Sequence, residues 1–132
     1  MEQTWYNVLL VAAGGALGAA LRYVVSACLL TRYGTAYPWG TTTVNLLGAL
    51  LFGLLWSSSV GNTWTPTFRL FVLTGILGGF TTFSTLAFEI TDALLNDRFL
   101  VAVAHATVHL IIGLAAVWIG MGLGRLVLRI GA

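Results

Sequence analysis

Apolar residues fill four long runs of the chain, at roughly 5–30, 41–58, 68–95 and 99–128, and short polar stretches separate them. A helix needs about 20 such residues to cross a bilayer. The pattern predicts an all-α integral membrane protein, one domain over residues 1–132 with four transmembrane helices. The first polar stretch holds Arg32, Tyr33, Gly34, Tyr37, Pro38 and Trp39, whose aromatic rings suit the headgroup level. Ser57 to Pro66, with Gly61 and Asn62, form the second loop, and Asn96, Asp97 and Arg98 a short third turn.

The third run departs from an ordinary spanning helix. From Gly75 to Glu89 it reads G-I-L-G-G-F-T-T-F-S-T-L-A-F-E. Gly75, Gly78 and Gly79 weaken a helix, and Thr81, Thr82, Ser84 and Thr85 crowd hydroxyls into the same region. The third helix is therefore expected to break near its middle. Backbone freed by such a break needs protein, water or an ion as partner. Two readings stand: a buried polar site, or a kinked helix packed through small residues. If helix resumes after the break, Thr82, Thr85, Leu86 and Glu89 share a face.

Other runs carry polar residues at helical spacing. Gly14, Gly18 and Arg22 recur every four positions. Small residues there admit a close neighbour, while Arg22 either snorkels to the interface or lines an anion-attracting vestibule. Thr41, Thr42, Asn45, Gly48, Ala49 and Phe52 share a face of the second helix. Asn45 either bonds another helix or offers an N–H to a passing anion. His105 and His109 lie one turn apart, with Gly113 following. Zinc needs further ligands than these two imidazoles, so a polar-lining or packing role is favoured.

Composition narrows the function classes. The chain is 58% hydrophobic and only 8% charged, against roughly 25% charged in soluble domains. Four spans leave no room for a soluble catalytic domain. An enzyme is disfavoured, because no water-accessible nucleophile, base and orienting group come together. The six basic residues are all Arg and are scattered, unlike a nucleic-acid footprint. Cys28 has no intrachain partner for a disulfide. Residues 1–7 lack the positive flank of a signal peptide, so the first run is expected to be retained. Both termini share a side with Arg69, Arg125 and Arg129, and Arg32 and Arg98 lie opposite, with Arg22 near them. That balance gives little orientation bias and allows insertion both ways. Two opposed copies would form an antiparallel dimer, with Gly14, Gly18 and Gly48 as candidate contact faces.

Three segments, G-A-L-G-A-A-L-R-Y (15–23), W-G-T-T-T-V-N-L-L-G (39–48) and T-G-I-L-G-G-F-T-T-F-S-T-L-A-F-E (74–89), together resemble the Fluc (CrcB-type) fluoride channels. The resemblance spans the whole chain. It implies a passive, fluoride-selective channel that exports toxic fluoride across the cell (inner or plasma) membrane. It implies a dual-topology antiparallel homodimer in lipid, with two pores and a structural Na+ at the dimer centre. On the matching positions, Gly78 and Thr81 would offer carbonyls to Na+. Asn45, Phe83, Ser84, Thr85 and Glu89 would line the fluoride path, and Arg22 the vestibule.

Two departures fall on that path. Leu86 stands at the second Phe-box position, and His105 and His109 stand where the family carries Tyr and a hydroxyl residue. Both imidazoles are expected to act as neutral hydrogen-bond donors. Fluoride is strongly hydrated, and a pore must replace its water with such donors and with the positive edges of rings. The alternative reading is a small dual-topology proton-coupled exporter, for which Glu89 is the membrane-embedded carboxylate. A non-conducting assembly protein is the third.

Overall fold

The computed structural model describes residues 2–59 and 64–130. Gly61 and Asn62, read as part of the second loop, lie outside them. Helix α1 runs Glu2–Tyr33 and α2 Trp39–Ser59. The third span is composite: α3 (Pro66–Arg69), a π-helical stretch Leu70–Leu77, α4 (Gly78–Phe80), and then α5 (Phe83–Leu95). The fourth span is α6 (Phe99–Thr107), a π-helical turn Val108–Ile112 and α7 (Gly113–Ile130). Four helices are thus long and apolar enough to cross a membrane, and the chain is a multi-pass, all-helical protein.

Local chemistry sets the helix ends. α1 continues through Arg32 and Tyr33, which the polar pattern assigns to the loop, and stops at Gly34. That glycine takes φ +69°, a left-handed conformation that only glycine adopts without strain, and its N–H bonds the Leu30 carbonyl at 2.9 Å. α2 already begins at Trp39, another residue read as loop. Thr65 caps α3, its hydroxyl accepting from Phe68 N–H at 3.2 Å, with Pro66 in the first turn. Between α5 and α6, Asn96 to Arg98 make the expected tight turn, and Arg98 pairs with Asp92 at 3.3 Å.

The helices pack in two glycine-mediated pairs. α1 lies against the first half of the third span. A Cβ on Gly14 would sit 2.7 Å from the Phe71 carbonyl oxygen, and one on Gly79 2.5 Å from that of Gly15. Gly18 meets the Ile76 carbonyl more closely still. α2 lies against α7, where Gly53 faces the Val117 carbonyl, Gly120 that of Leu50 and Gly124 that of Leu54. Gly48 abuts the Thr81 methyl. This corrects the reading of Gly14, Gly18 and Gly48 as dimer faces, since all three are buried inside the protomer. Without a hydrophobic drive between helices in lipid, small residues are what allows this approach, and here neighbours within the chain take it up.

Candidate functional site

The break falls later than the glycines suggest. Gly75, Gly78 and Gly79 stay helical: Gly75 and Gly79 are in contact with α1, and Gly78 faces the cavity described below. The chain leaves the helix at Thr81 (φ −88°, ψ 157°) and Thr82 (φ −150°, ψ 117°), two extended residues inside the span. Thr81 N–H still reaches the Leu77 carbonyl at 3.0 Å, but the extended backbone takes Thr82 out of the helical ladder, and lipid offers no replacement. Asn45 of α2 supplies it. Thr82 N–H donates to Asn45 Oδ1 at 2.8 Å, and Asn45 Nδ2 donates to the Thr82 carbonyl at 3.0 Å. The carboxamide therefore bridges to another helix, one of the two roles open from sequence. It retains one further N–H, since an amide nitrogen carries two.

Thr82 also starts the next helix. Its Oγ1 accepts from Thr85 N–H at 3.3 Å and lies 3.0 Å from Thr85 Oγ1 and 3.3 Å from Ser84 Oγ. A helix start leaves its first amides without intrahelical acceptors. Thr82 and Thr85 have found theirs elsewhere, which leaves those of Phe83 and Ser84 at the positive end of α5. On the other side of the break, the Gly78 carbonyl has lost its usual partner, because Thr82 N–H is turned to Asn45. Asn45, Gly78, Thr81, Phe83, Leu86 and His109 line a cavity of about 590 Å³.

A second polar cluster lies along α5. Glu89 accepts from Thr41 Oγ1 at 2.8 Å, and its other oxygen lies 3.0 Å from His105 Nε2. His105 is only 1% exposed. Its Nδ1 lies 3.3 Å from Thr42 Oγ1 and 3.4 Å from the Tyr37 hydroxyl. Both ring nitrogens are thus engaged within the chain. Glu89 and Tyr37 line a separate cavity of about 270 Å³ with Trp39, Thr41, Asp92 and Arg98. His109 stacks edge-on against His105, with ring centres 4.5 Å apart, and its Nδ1 reaches the His105 carbonyl at 2.8 Å. The series Glu89, His105, His109 therefore links the wall of one cavity to that of the other.

Several expectations from sequence meet a different geometry. The N–H of neutral His109 already serves a backbone carbonyl, so that ring offers the cavity no donor in its neutral form. Phe83 is 81% exposed although it borders the 590 Å³ cavity. Ser84 is exposed too, whereas Leu86 is buried and Thr85 half-buried. Arg22 is half-buried on α1 and lines neither cavity. Sequence reasoning missed Tyr37, Thr41 and Thr42 as partners of Glu89 and His105. The two threonines carried a signal, their shared face with Asn45; Tyr37 carried none.

The match to known proteins covers almost the whole chain. The sequence model of the family described as "CrcB-like protein, Camphor Resistance (CrcB)" matches residues 9–121. A "Fluoride-specific ion channel FluC" of Xylella fastidiosa is 40% identical over 126 residues, covering 93% of this chain and 87% of that one. The protein of the same name from Chloroflexus aurantiacus is 45% identical over 120 residues, covering 90% and 95%. That of Nitratidesulfovibrio vulgaris is 42% identical over 123 residues, covering 92% and 99%. With its four spans, its broken third helix and this extent of identity, the chain belongs to the CrcB-like, camphor-resistance family.

Proposed function

We propose that this protein is a passive, fluoride-selective ion channel that exports fluoride across the plasma membrane, working as an antiparallel, dual-topology homodimer with two pores. The observation that carries the reading is the break at Thr81–Thr82. It places the start of α5, with the amides of Phe83 and Ser84, inside a membrane span beside the second N–H of Asn45. Such donors suit a small anion whose hydration shell must be replaced. They carry no full charge, so binding stays weak enough for exit. The names of the relatives, each a fluoride-specific channel, support the choice of anion.

The exposure of Phe83 and Ser84 supports the dimer. The unpaired amides at this exposed helix start are poorly placed against lipid tails. Against a second copy, the ring edge would face the partner's polar cavity, where its positive rim contacts an anion without trapping it. The residues also fit the structural Na+ at the dimer centre. The Gly78 carbonyl has been released by the break, and the extended Thr81 carries a carbonyl outside the helical ladder. Two copies would offer four such oxygens, and a cation there would neutralise carbonyl dipoles that lipid leaves unpaired.

Purified protein in liposomes loaded with potassium fluoride, opened electrically with valinomycin, tests the proposal. Fluoride should leave rapidly, while the same vesicles loaded with chloride retain it. Chloride efflux at a similar rate would reject fluoride selectivity.

A further inference from the structure

Residues 3–88 contain no acidic residue, so the first two spans and the first half of the third hold arginines with no carboxylate of their own. One of these arginines, Arg69, lines a cavity of about 480 Å³ walled by the end of α2 and the start of the third span. The walls are apolar: Phe52, Trp56 and Trp64 near Arg69, then Leu70 and Leu73 toward Gly78. Phe52, Trp56 and Thr74 are exposed, so the cavity opens to the outside of the protomer.

The guanidinium is half-buried and its charge is not cancelled. Nη2 donates to the Ser59 carbonyl at 2.8 Å, which closes the end of α2, and the guanidinium carbon lies 5.7 Å from the centre of the Trp56 ring. A carbonyl dipole and a ring face orient a cation without neutralising it. Among the described residues, that is the only hydrogen bond of a group with five N–H donors. The carboxylates that pair among them are Asp92 with Arg98 and Glu89 with His105, both beyond the break.

Depth and wall chemistry narrow the occupant. Arg69 stands at the start of its span and Ser59 at the end of the preceding one, with Trp56 and Trp64 beside them, which is the level of lipid headgroups. A buried water needs two to four polar partners, and beyond Arg69 the lining side chains offer the Trp64 indole N–H and the Thr74 hydroxyl. A free inorganic anion would answer Arg69 and leave the apolar walls uncovered. An acidic amphiphile answers both, with its phosphate on the guanidinium fork and its chain on the walls. A second copy matches the charge less well, because Glu89 and Asp92 of α5 are already held by Thr41, His105 and Arg98.

We propose that this cavity binds an anionic phospholipid, its phosphate paired with Arg69 and an acyl chain lying on Phe52, Leu70 and Leu73. The site goes beyond the channel reading and does not depend on which ion passes.

Native mass spectrometry of the purified protein, released from a neutral detergent, counts the lipids retained after titration with phosphatidylglycerol or with phosphatidylcholine of the same chains. Wild type should hold phosphatidylglycerol at least about fivefold more tightly, the worth of one arginine near a bilayer surface. Arg69→Gln should bring the two lipids level, while Arg125→Gln, on the exposed side of α7, should keep the preference. Thr74→Trp fills the cavity from its exposed side and leaves the charge in place, so it should weaken both lipids. Where Arg69→Gln gives no folded protein, Thr74→Trp decides. No preference in wild type, a preference that survives Arg69→Gln, an equal loss in Arg125→Gln, or undiminished binding to Thr74→Trp overturns the proposal. Displacement of phosphatidylglycerol by inorganic phosphate would make this a free-anion site, and lipid-free dimers that weaken in Arg69→Gln would make a second copy the occupant. Either result overturns it as well.

Discussion

Replacing Asn45 by leucine removes both partners of the Thr82 backbone while keeping similar volume. Thr82 N–H and C=O, bonded to Asn45 at 2.8 and 3.0 Å, would be left without protein partners in the interior of a span. Each buried, unsatisfied polar group costs about 1–3 kcal/mol, so the pair costs about 2–6 kcal/mol. Folded domains have only about 5–15 kcal/mol in total, so the loss is a large share. Thr82→Ala provides the scale. It leaves the backbone bridge intact and removes the Thr85 cap, worth about 0.5–2 kcal/mol. Thermal and denaturant unfolding of the purified variants in one detergent should rank wild type above Thr82→Ala, and Thr82→Ala well above Asn45→Leu. Fluoride flux should fall with Asn45→Leu even where folded protein is recovered, because the start of α5 loses its anchor. If Asn45→Leu destabilises no more than Thr82→Ala, the carboxamide is not what holds the break.

Gly18→Ala should destabilise the protein by about 1–3 kcal/mol, since its Cβ meets the Ile76 carbonyl of a packed neighbour, whereas Gly122→Ala, which meets nothing, should unfold like wild type. Cysteines placed at either terminus should be labelled by an impermeant reagent from both sides of the membrane in a population of intact vesicles, and labelling from one side alone would refute dual topology.

The spans and the polar break were legible because lipid tolerates so few alternatives. A run of apolar residues this long has to be helical, and Thr81 to Thr85 are too polar to pass unremarked. The position of the break was not legible from glycine content. Gly75 and Gly79 look like helix breakers in isolation, yet the backbone of α1 against them keeps them helical. That information lies in Gly14 and Gly15, far away in sequence. Asn45 was visible as a polar residue at depth, but its partner is a main-chain group, and main chain carries no residue-type signal. For His109, the i, i+4 spacing was read as two side chains side by side. The structure pairs one ring with the other residue's carbonyl, which reverses donor to acceptor.

The order of pairing also constrains how the protein is made. α1 fits against the first half of the third span, and α2 against α7. Each glycine stripe therefore meets its closest partner two spans later in the chain. During synthesis, the first helix enters the bilayer before its counterpart has been translated, and the second waits likewise for the last. Adjacent spans touch as well, α1 with α2 and α5 with α6, but the most extensive pairing in the protein, α2 with α7, waits for the last span. The packed bundle is therefore a property of the finished chain, since its largest helix pair cannot close before the fourth span has been made.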